Sequence, residues 1–374
     1  MLAEPISPSS SSGPTQTAIV YCEANFGAID GKTANGLVRS SERYRIVAVI
    51  DSTQAGRDAA EILGEPRADI PVVPSLEAGI RVVGKIPDVM IFGVAPTSGM
   101  LSPIERTVML DAISRGMGIV NGLHEFLNDD PEFVAAATLH EVELIDIRRP
   151  RAKKDLRMFS GRIDEVACPR IAVLGTDGAI GKRTTATILT KALNDHGIRA
   201  VLVGTGQTGL IQGARYGVAL DAIPCQFASG EMESSVVEAW EGEHPDVIIV
   251  EGQGALSHPA YLTSAFILRG SRPEAVILQH APARVRLGDF ASVPMPTAAS
   301  EIALIEAFAD TRVIGVTLNH ESMTDAEVTA AITLYEAELA LPTTDALSRP
   351  SERLVQMVLQ AFPELASKQA AGAR

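Results

Sequence analysis

Cysteine is scarce. Cys22, Cys168 and Cys225 are the three in 374 residues, far apart and without a C-x-x-C spacing. A disulfide framework and a zinc site are both disfavoured, and a reducing compartment fits. No apolar run approaches the ~20 residues of a membrane span. Residues 1–17 are rich in Ser and Pro and lack both the basic start and the apolar stretch of a signal peptide, so residues 1–16 are expected to form a disordered tail. Positive charge is in deficit, 32 Lys plus Arg against 46 Asp plus Glu, a net charge of −14. That balance disfavours nucleic acid and anionic membrane as partners, and an anionic ligand needs a local basic pocket working against the overall field. Aromatics are only 4%. The cores must therefore be built from Ala, Val, Ile and Leu, a usage that suits parallel sheets covered by helices. A cytoplasmic location is expected.

The length suggests two domains. Strands are expected at 17–22, 44–50, 70–73, 89–94, 119–120 and 143–147. Helical patterns fall at 54–63, 102–115 and 131–140, and a glycine-rich turn at 27–41 opens another. Such alternation argues for a doubly wound parallel sheet over residues 17–150. Asp51 ends the second strand, where an acid meets a ribose in dinucleotide folds. The first turn lacks G-x-G-x-x-G, so a helix cap is the favoured role for Asp51. Residues 151–169 are polar and basic, close with Pro169, and read as a linker or as a basic strip beside a ligand cleft. A second α/β series follows over 170–374, with strands at 170–174, 200–203, 246–250, 275–278 and 313–318. Its helices are expected at 182–196, 232–241, 298–309, 324–338 and 351–362.

The most informative run is Gly175-Thr176-Asp177-Gly178-Ala179-Ile180-Gly181-Lys182-Arg183-Thr184-Thr185, between a buried strand and a helix. In that context glycines let backbone N–H groups converge on phosphate oxygens, the helix N-terminus adds positive potential, and Lys182 adds a charge. The first glycine is one residue early, a spacing similar to that of dethiobiotin synthetase. Arg183 stands where a hydroxyl normally coordinates Mg²⁺. A guanidinium cannot ligate a cation but can pair bidentately with phosphate. The loop therefore reads as gripping phosphates without an obligatory metal, which favours a pyrophosphate-bearing cofactor such as coenzyme A over ATP. Gly178 to Thr185 are its candidate cofactor contacts.

Further candidates lie at strand ends. Gly206 and Gln207 belong to G-T-G-Q-T-G, where backbone can approach a ligand. Glu251 ends a strand in the place of a Walker B carboxylate and, with no metal ligand beside Lys182, is free to act as a general base. His258 and Tyr261 follow on its loop. His280 ends the next strand, equally a core or a catalytic histidine. Arg284 and Arg286 just beyond it suit a carboxylate-bearing substrate, or are merely solvated. Glu231 and Glu233 offer carboxylates, or only favour a helix N-terminus. Asn319 ends the last strand where nucleotide folds read a base, with 342–345 as a partner turn.

Taken together, these segments resemble one family, a Rossmann-like domain joined to a P-loop domain and long known only as a domain of unknown function. Its carriers are G-K-T-A-N-G-L-V-R from Gly31, V-I-D-S from Val49, G-V-A-P from Gly93 and G-L-H-E-F-L from Gly122. The others are G-T-D-x-x-x-G-K-x-T-T from Gly175, G-T-G-Q-T-G from Gly204, E-G-Q-G from Glu251 and L-P-T-T-D from Leu341. One departure is Gln226, where an acidic residue is expected before Phe227. The resemblance implies D-glutamate N-acetyltransferase activity with acetyl-CoA as co-substrate. Under it, Glu251, Asp177 and His280 are the catalytic candidates, and Lys32, Arg284, Arg286 and Glu231 the substrate contacts. The expected partners are an acidic amino acid and further copies of the chain. Two other readings stay open, an ATP-dependent kinase or ligase similar to dethiobiotin synthetase and a non-catalytic nucleotide-binding regulator. Arg183 weighs against the kinase or ligase, and the acid–base groups at strand ends weigh against the regulator.

Overall fold

The structure is a computed structural model that describes residues 16–96 and 98–368. The chain divides into two units. Unit 1 comprises the residues up to Pro150 together with Gln207–Arg215, and unit 2 the residues Arg151–Gly206 and from Tyr216 onward. The tail expected over residues 1–16 lies outside the described residues except for Gln16, which starts the first strand.

Unit 1 holds six strands: β1 (Gln16–Tyr21), β2 (Tyr44–Ile50), β3 (Val72–Val73), β4 (Val89–Phe92), β5 (Gly118–Asn121) and β6 (Leu144–Asp146). They form one sheet in the order β3-β2-β1-β4-β5-β6, and every pairing is parallel. This is the Rossmann order. The inner strands β1 and β4 are buried on both faces, which is why they read as unbroken apolar runs. Tyr21 stacks on Phe92 with ring centroids 5.6 Å apart. The helix Pro103–Ser114 starts where the sequence signals it. Ser102 and Glu105 form a reciprocal capping box and Pro103 fills the first turn.

Two expectations in this unit change. The helix expected over 54–63 shrinks to Ala59–Ile62, because Gly56 takes a φ of 90° and Asp58 caps the helix at Ala60 and Glu61. Asp58 is therefore the cap expected of Asp51. The buried Asp51 carboxylate instead accepts from Phe26 N at 3.0 Å and from Thr53 N at 2.9 Å, tying together the loops after β1 and β2.

Unit 2 holds seven strands: β7 (Arg170–Gly175), β8 (Ala200–Gly204), β9 (Tyr216–Gly217), β10 (Val247–Glu251), β11 (Ala275–His280), β12 (Arg312–Leu318) and β13 (Thr343–Thr344). Their order is β13-β12-β11-β7-β10-β8-β9, again all parallel. Side chains alternate across β7. Ile171 and Val173 pack under the helices Lys182–Asp195 and Glu352–Ala361. Ala172 and Leu174 face the helices Cys225–Glu243, Thr263–Ser271 and Ala298–Phe308. The sheet order changes direction around β7, which puts the ends of β7, β10 and β11 at the crevice where such folds take ligands.

The stretch expected as a linker, 151–169, is part of unit 2. Its charges are matched by acids on one face of the helix Cys225–Glu243. Arg157 pairs with Glu238, and Arg162 meets Glu241 at 2.5 Å. Glu231 and Glu233 accept from the main-chain N–H groups of Arg157 and Ser160, each at 2.7 Å. The segment crosses that helix at Gly230, where an added Cβ would lie 2.3 Å from Arg157 O. Gly230→Ala should therefore destabilise unit 2 by about 1–3 kcal/mol, the usual cost of overpacking against backbone. An unchanged urea midpoint would count against this packing.

Candidate active site

The phosphate loop is built by backbone geometry. Gly181 takes a φ of 101° and Ala179 one of 49°, so the chain folds back sharply before the helix begins at Lys182. Gly175 has no room for a side chain: an added Cβ would meet Gln279 O at 2.8 Å and Lys182 Cδ at 2.9 Å. Gly178 is open, since the nearest atom to an added Cβ there is Asp289 Oδ2 at 4.0 Å. Lys182 is buried and its ammonium donates to the main-chain oxygen of Asp177. Arg183 and Thr184 are half-buried, and the Thr185 hydroxyl donates to Gln279 Oε1 at 2.6 Å. A short loop of N–H groups, a helix N-terminus and two cationic side chains fit a phosphate-bearing group.

Glu251, at the end of β10, is 5% exposed and its Oε2 accepts from Thr205 N at 3.0 Å. Burial pushes its carboxyl above the ordinary range, and the charges of Arg183 and Lys182 pull back against that shift. The charge of Arg183 thus favours the ionised form of the strand-end carboxylate. Gly206 is buried beside Gln253, whose amide donates to Thr205 O.

Other expected site residues take different parts. The Asp177 carboxylate is fully buried and saturated by Gly178 N at 2.7 Å, Gly288 N at 2.9 Å and Arg284 Nη1 at 2.8 Å. It braces the loop. Arg284 is spoken for on its other edge by Glu321, through bonds of 2.7 and 2.8 Å. His280 lies behind the loop with Nδ1 2.9 Å from the Thr176 hydroxyl, and its ring is edge-on to Tyr335. Burial pushes its pKa down to about 4, so the ring is neutral. Arg286 is exposed and donates to Ser292 O at 3.1 Å. Glu231 holds the 151–169 segment as described. Asn319 joins the site, its amide donating to Ile180 O at 3.0 Å. It also lines a hollow beside the loop with Thr184, Leu318, His320 and Leu347.

Lys32 and Gln207 belong to unit 1. Lys32 is an exposed residue opening the helix Lys32–Arg39. Gln207 opens the short helix Gln207–Gln212, which packs on that same helix. Thr208 and Thr33 hydroxyls lie 2.9 Å apart, and the Gln212 amide donates to Gly36 O at 2.6 Å. The run expected as a strand-end loop thus leaves its own domain after Gly206, pulled over by apolar Ile211 and these polar ties.

Sequence reasoning missed Gln279, Asp289 and Glu321. Gln279 orders both Thr185 and Thr317, whose hydroxyls donate to its Oε1 at 2.6 and 2.5 Å. Its place just before His280 at a strand end was a usable signal. Glu321 meets Arg284 across 37 residues, a pairing that no local spacing reveals.

These features define a two-unit α/β protein, one Rossmann-like sheet and one phosphate-loop sheet with a buried carboxylate at its C-terminal edge. The chain belongs to the DUF1611 family. The model described as domain of unknown function (DUF1611_C) P-loop domain matches residues 157–355, and the DUF1611_N Rossmann-like domain matches residues 52–150. A relative from Pseudoalteromonas sp. named D-glutamate N-acetyltransferase is 35% identical over 240 residues, covering 62% of this chain and 70% of the relative. Another of the same name from Tritonibacter scottomollicae is 31% identical over 279 residues, covering 71% and 79% respectively. The crystal structure of a DUF1611 family protein from Anabaena variabilis superposes with a TM-score of 0.85 at 33% identity, covering 92% of this chain and all of that one. Among the described residues no helix is long and apolar enough to cross a membrane.

Proposed function

We propose that the chain is an acetyl-CoA-dependent N-acetyltransferase that acts on an acidic amino acid, D-glutamate, in amino-acid catabolism. The names of the two relatives support the transfer and its substrate. The observation that carries the choice of cofactor is Arg183, which follows the loop lysine at the position where a nucleotidase places the hydroxyl that holds its magnesium. The proposal takes the chain as cytoplasmic and homo-oligomeric, with neither nucleic acid nor membrane as partner.

The thioester supplies the acetyl group and a thiolate leaving group. The remaining tasks fall to this chain. Lys182, Arg183 and the loop N–H groups hold the pyrophosphate. Glu251, whose burial raises its affinity for a proton, takes the proton from the substrate ammonium so that the free amine can attack the carbonyl carbon. As the C–N bond forms, the C–S bond breaks and the nitrogen sheds its second proton, so that of the two protons lost from the ammonium one goes to the departing thiolate and the other to solvent. Backbone N–H groups of the glycine loops are suited to the tetrahedral oxyanion, at about 3 kcal/mol per donor in measured cases.

Arg183 provides the test. Activity should persist in excess EDTA, while Arg183→Thr should bind acetyl-CoA about tenfold more weakly, a loss of about 1.4 kcal/mol. The same variant should gain Mg²⁺-dependent ATP binding, because it restores the usual hydroxyl. Complete and reversible loss of wild-type activity in EDTA would refute the metal-free reading and promote an ATP-dependent ligase.

A further inference from the structure

Two loops meet beside the open face of Gly178. One follows β10 and carries His258 and Tyr261, and the other follows β11 and carries Asp289 and Phe290. Tyr261 donates its hydroxyl proton to Asp289 Oδ2 at 2.9 Å, and that oxygen is the nearest atom to an added Cβ at Gly178. The His258 ring is sandwiched within this flap. It stacks on Tyr261 with centroids 4.4 Å apart at 13°, and Phe290 lies 5.6 Å away at a tilt.

The proton on that ring can be placed. His258 Nδ1 accepts from Ala260 N at 3.2 Å and Tyr261 N at 3.3 Å, so a neutral ring carries its proton on Nε2. Burial lowers the pKa and keeps the ring neutral; the charges of Asp177 and Asp289 pull against that shift and the charge of Lys182 adds to it. His258 is 5% exposed, and Nε2 is buried with no hydrogen-bond partner. Native interiors rarely leave such a donor unmet, and one on a loop beside a phosphate loop calls for an acceptor that arrives with a ligand.

We propose that His258 contacts the ligand of the phosphate loop, its Nε2–H donating to an anionic phosphate oxygen as the Tyr261 flap shifts to admit it. The proposal rests on the phosphate-loop reading above and adds to it a neutral donor beside the two cationic side chains. A neutral donor recognises the oxygen without adding charge. It also couples ligand binding to the flap beside Gly178.

The test uses the full chain with ¹⁵N-labelled histidine, inorganic pyrophosphate as the first probe and acetyl-CoA as the second. Pyrophosphate should move the His258 Nε2 resonance. His258→Phe should weaken pyrophosphate binding about tenfold, and His258→Gln, whose amide nitrogen falls near the Nε2 position, should recover much of that loss. Pyrophosphate or acetyl-CoA binding with the Nε2 resonance unmoved would overturn the proposal while leaving the loop assignment intact. A resonance moved by pyrophosphate, with acetyl-CoA failing to bind, would uphold His258 and sink the cofactor reading. If neither probe binds, both fall. The wild-type resonance decides the matter even where the Phe variant folds poorly.

Discussion

Glu251→Gln should leave acetyl-CoA affinity near that of the unaltered chain and lower turnover by about 10²-fold or more, as for loss of a general base. The carboxylate is buried at the end of β10 and anchored through one oxygen to Thr205 N at 3.0 Å. Glutamine keeps the shape and can present its carbonyl oxygen to that N–H, so the fold should be undisturbed. What it loses is the ability to take a proton. Burial favours the neutral acid, so the pKa of Glu251 lies above the ordinary carboxylate range despite Arg183 and Lys182. Because the base must be ionised, turnover should fall as pH drops through that raised value. In Glu251→Gln this acid limb should disappear. The stability effect has its own sign. A carboxyl whose folded pKa is raised contributes stability below its unfolded pKa and loses it as pH rises through the folded one, so the variant should be no less stable at neutral pH. Turnover that survives the substitution would move the base elsewhere.

The doubly wound sheets were legible because β1, β4, β7 and β10 are inner parallel strands, buried on both faces and hence written as short apolar runs. The phosphate loop was legible because its chemistry is local: glycines, lysine and the flanking strand and helix lie within sixteen residues of sequence. What stayed hidden depends on distance. Asp177 and Arg284 each looked free in sequence, yet they neutralise one another across 107 residues, with Gly288 N and Glu321 completing the network. Arg151, Arg157 and Arg162 looked like a solvated linker because their acidic partners lie on a helix about 80 residues later. The helix Gln207–Gln212 was read as part of a ligand loop because the three glycines of the run 204–209 outweigh the single buried isoleucine that follows, and its membership of unit 1 is purely a tertiary choice. His258 carried a local signal, a histidine three residues before a tyrosine on a strand-end loop. Its unmet Nε2 could emerge only once both flap loops were placed.

Lys182→Ala should weaken acetyl-CoA binding by one to two orders of magnitude, about 1.4–3 kcal/mol. The ammonium is buried against its own loop, where it donates to Asp177 O, and it stands at the first residue of the helix Lys182–Asp195. Positive charge there is worth more than at an exposed site, because the buried ammonium is less screened by solvent, and it works against a net charge of −14 that disfavours an anion. The lysine also has a packing role: its Cδ lies close against Gly175, so alanine opens space as well as removing charge. Lys182→Met separates the two contributions. Methionine keeps most of the aliphatic stem and none of the charge. If the ammonium carries the effect, the Met and Ala variants should lose similar affinity, and both should show a weaker dependence of binding on salt. If packing carries it, Met should bind almost as well as lysine. Wild-type affinity for acetyl-CoA, ATP and pyrophosphate in both variants would remove Lys182 from the ligand site and, with it, the phosphate-loop assignment.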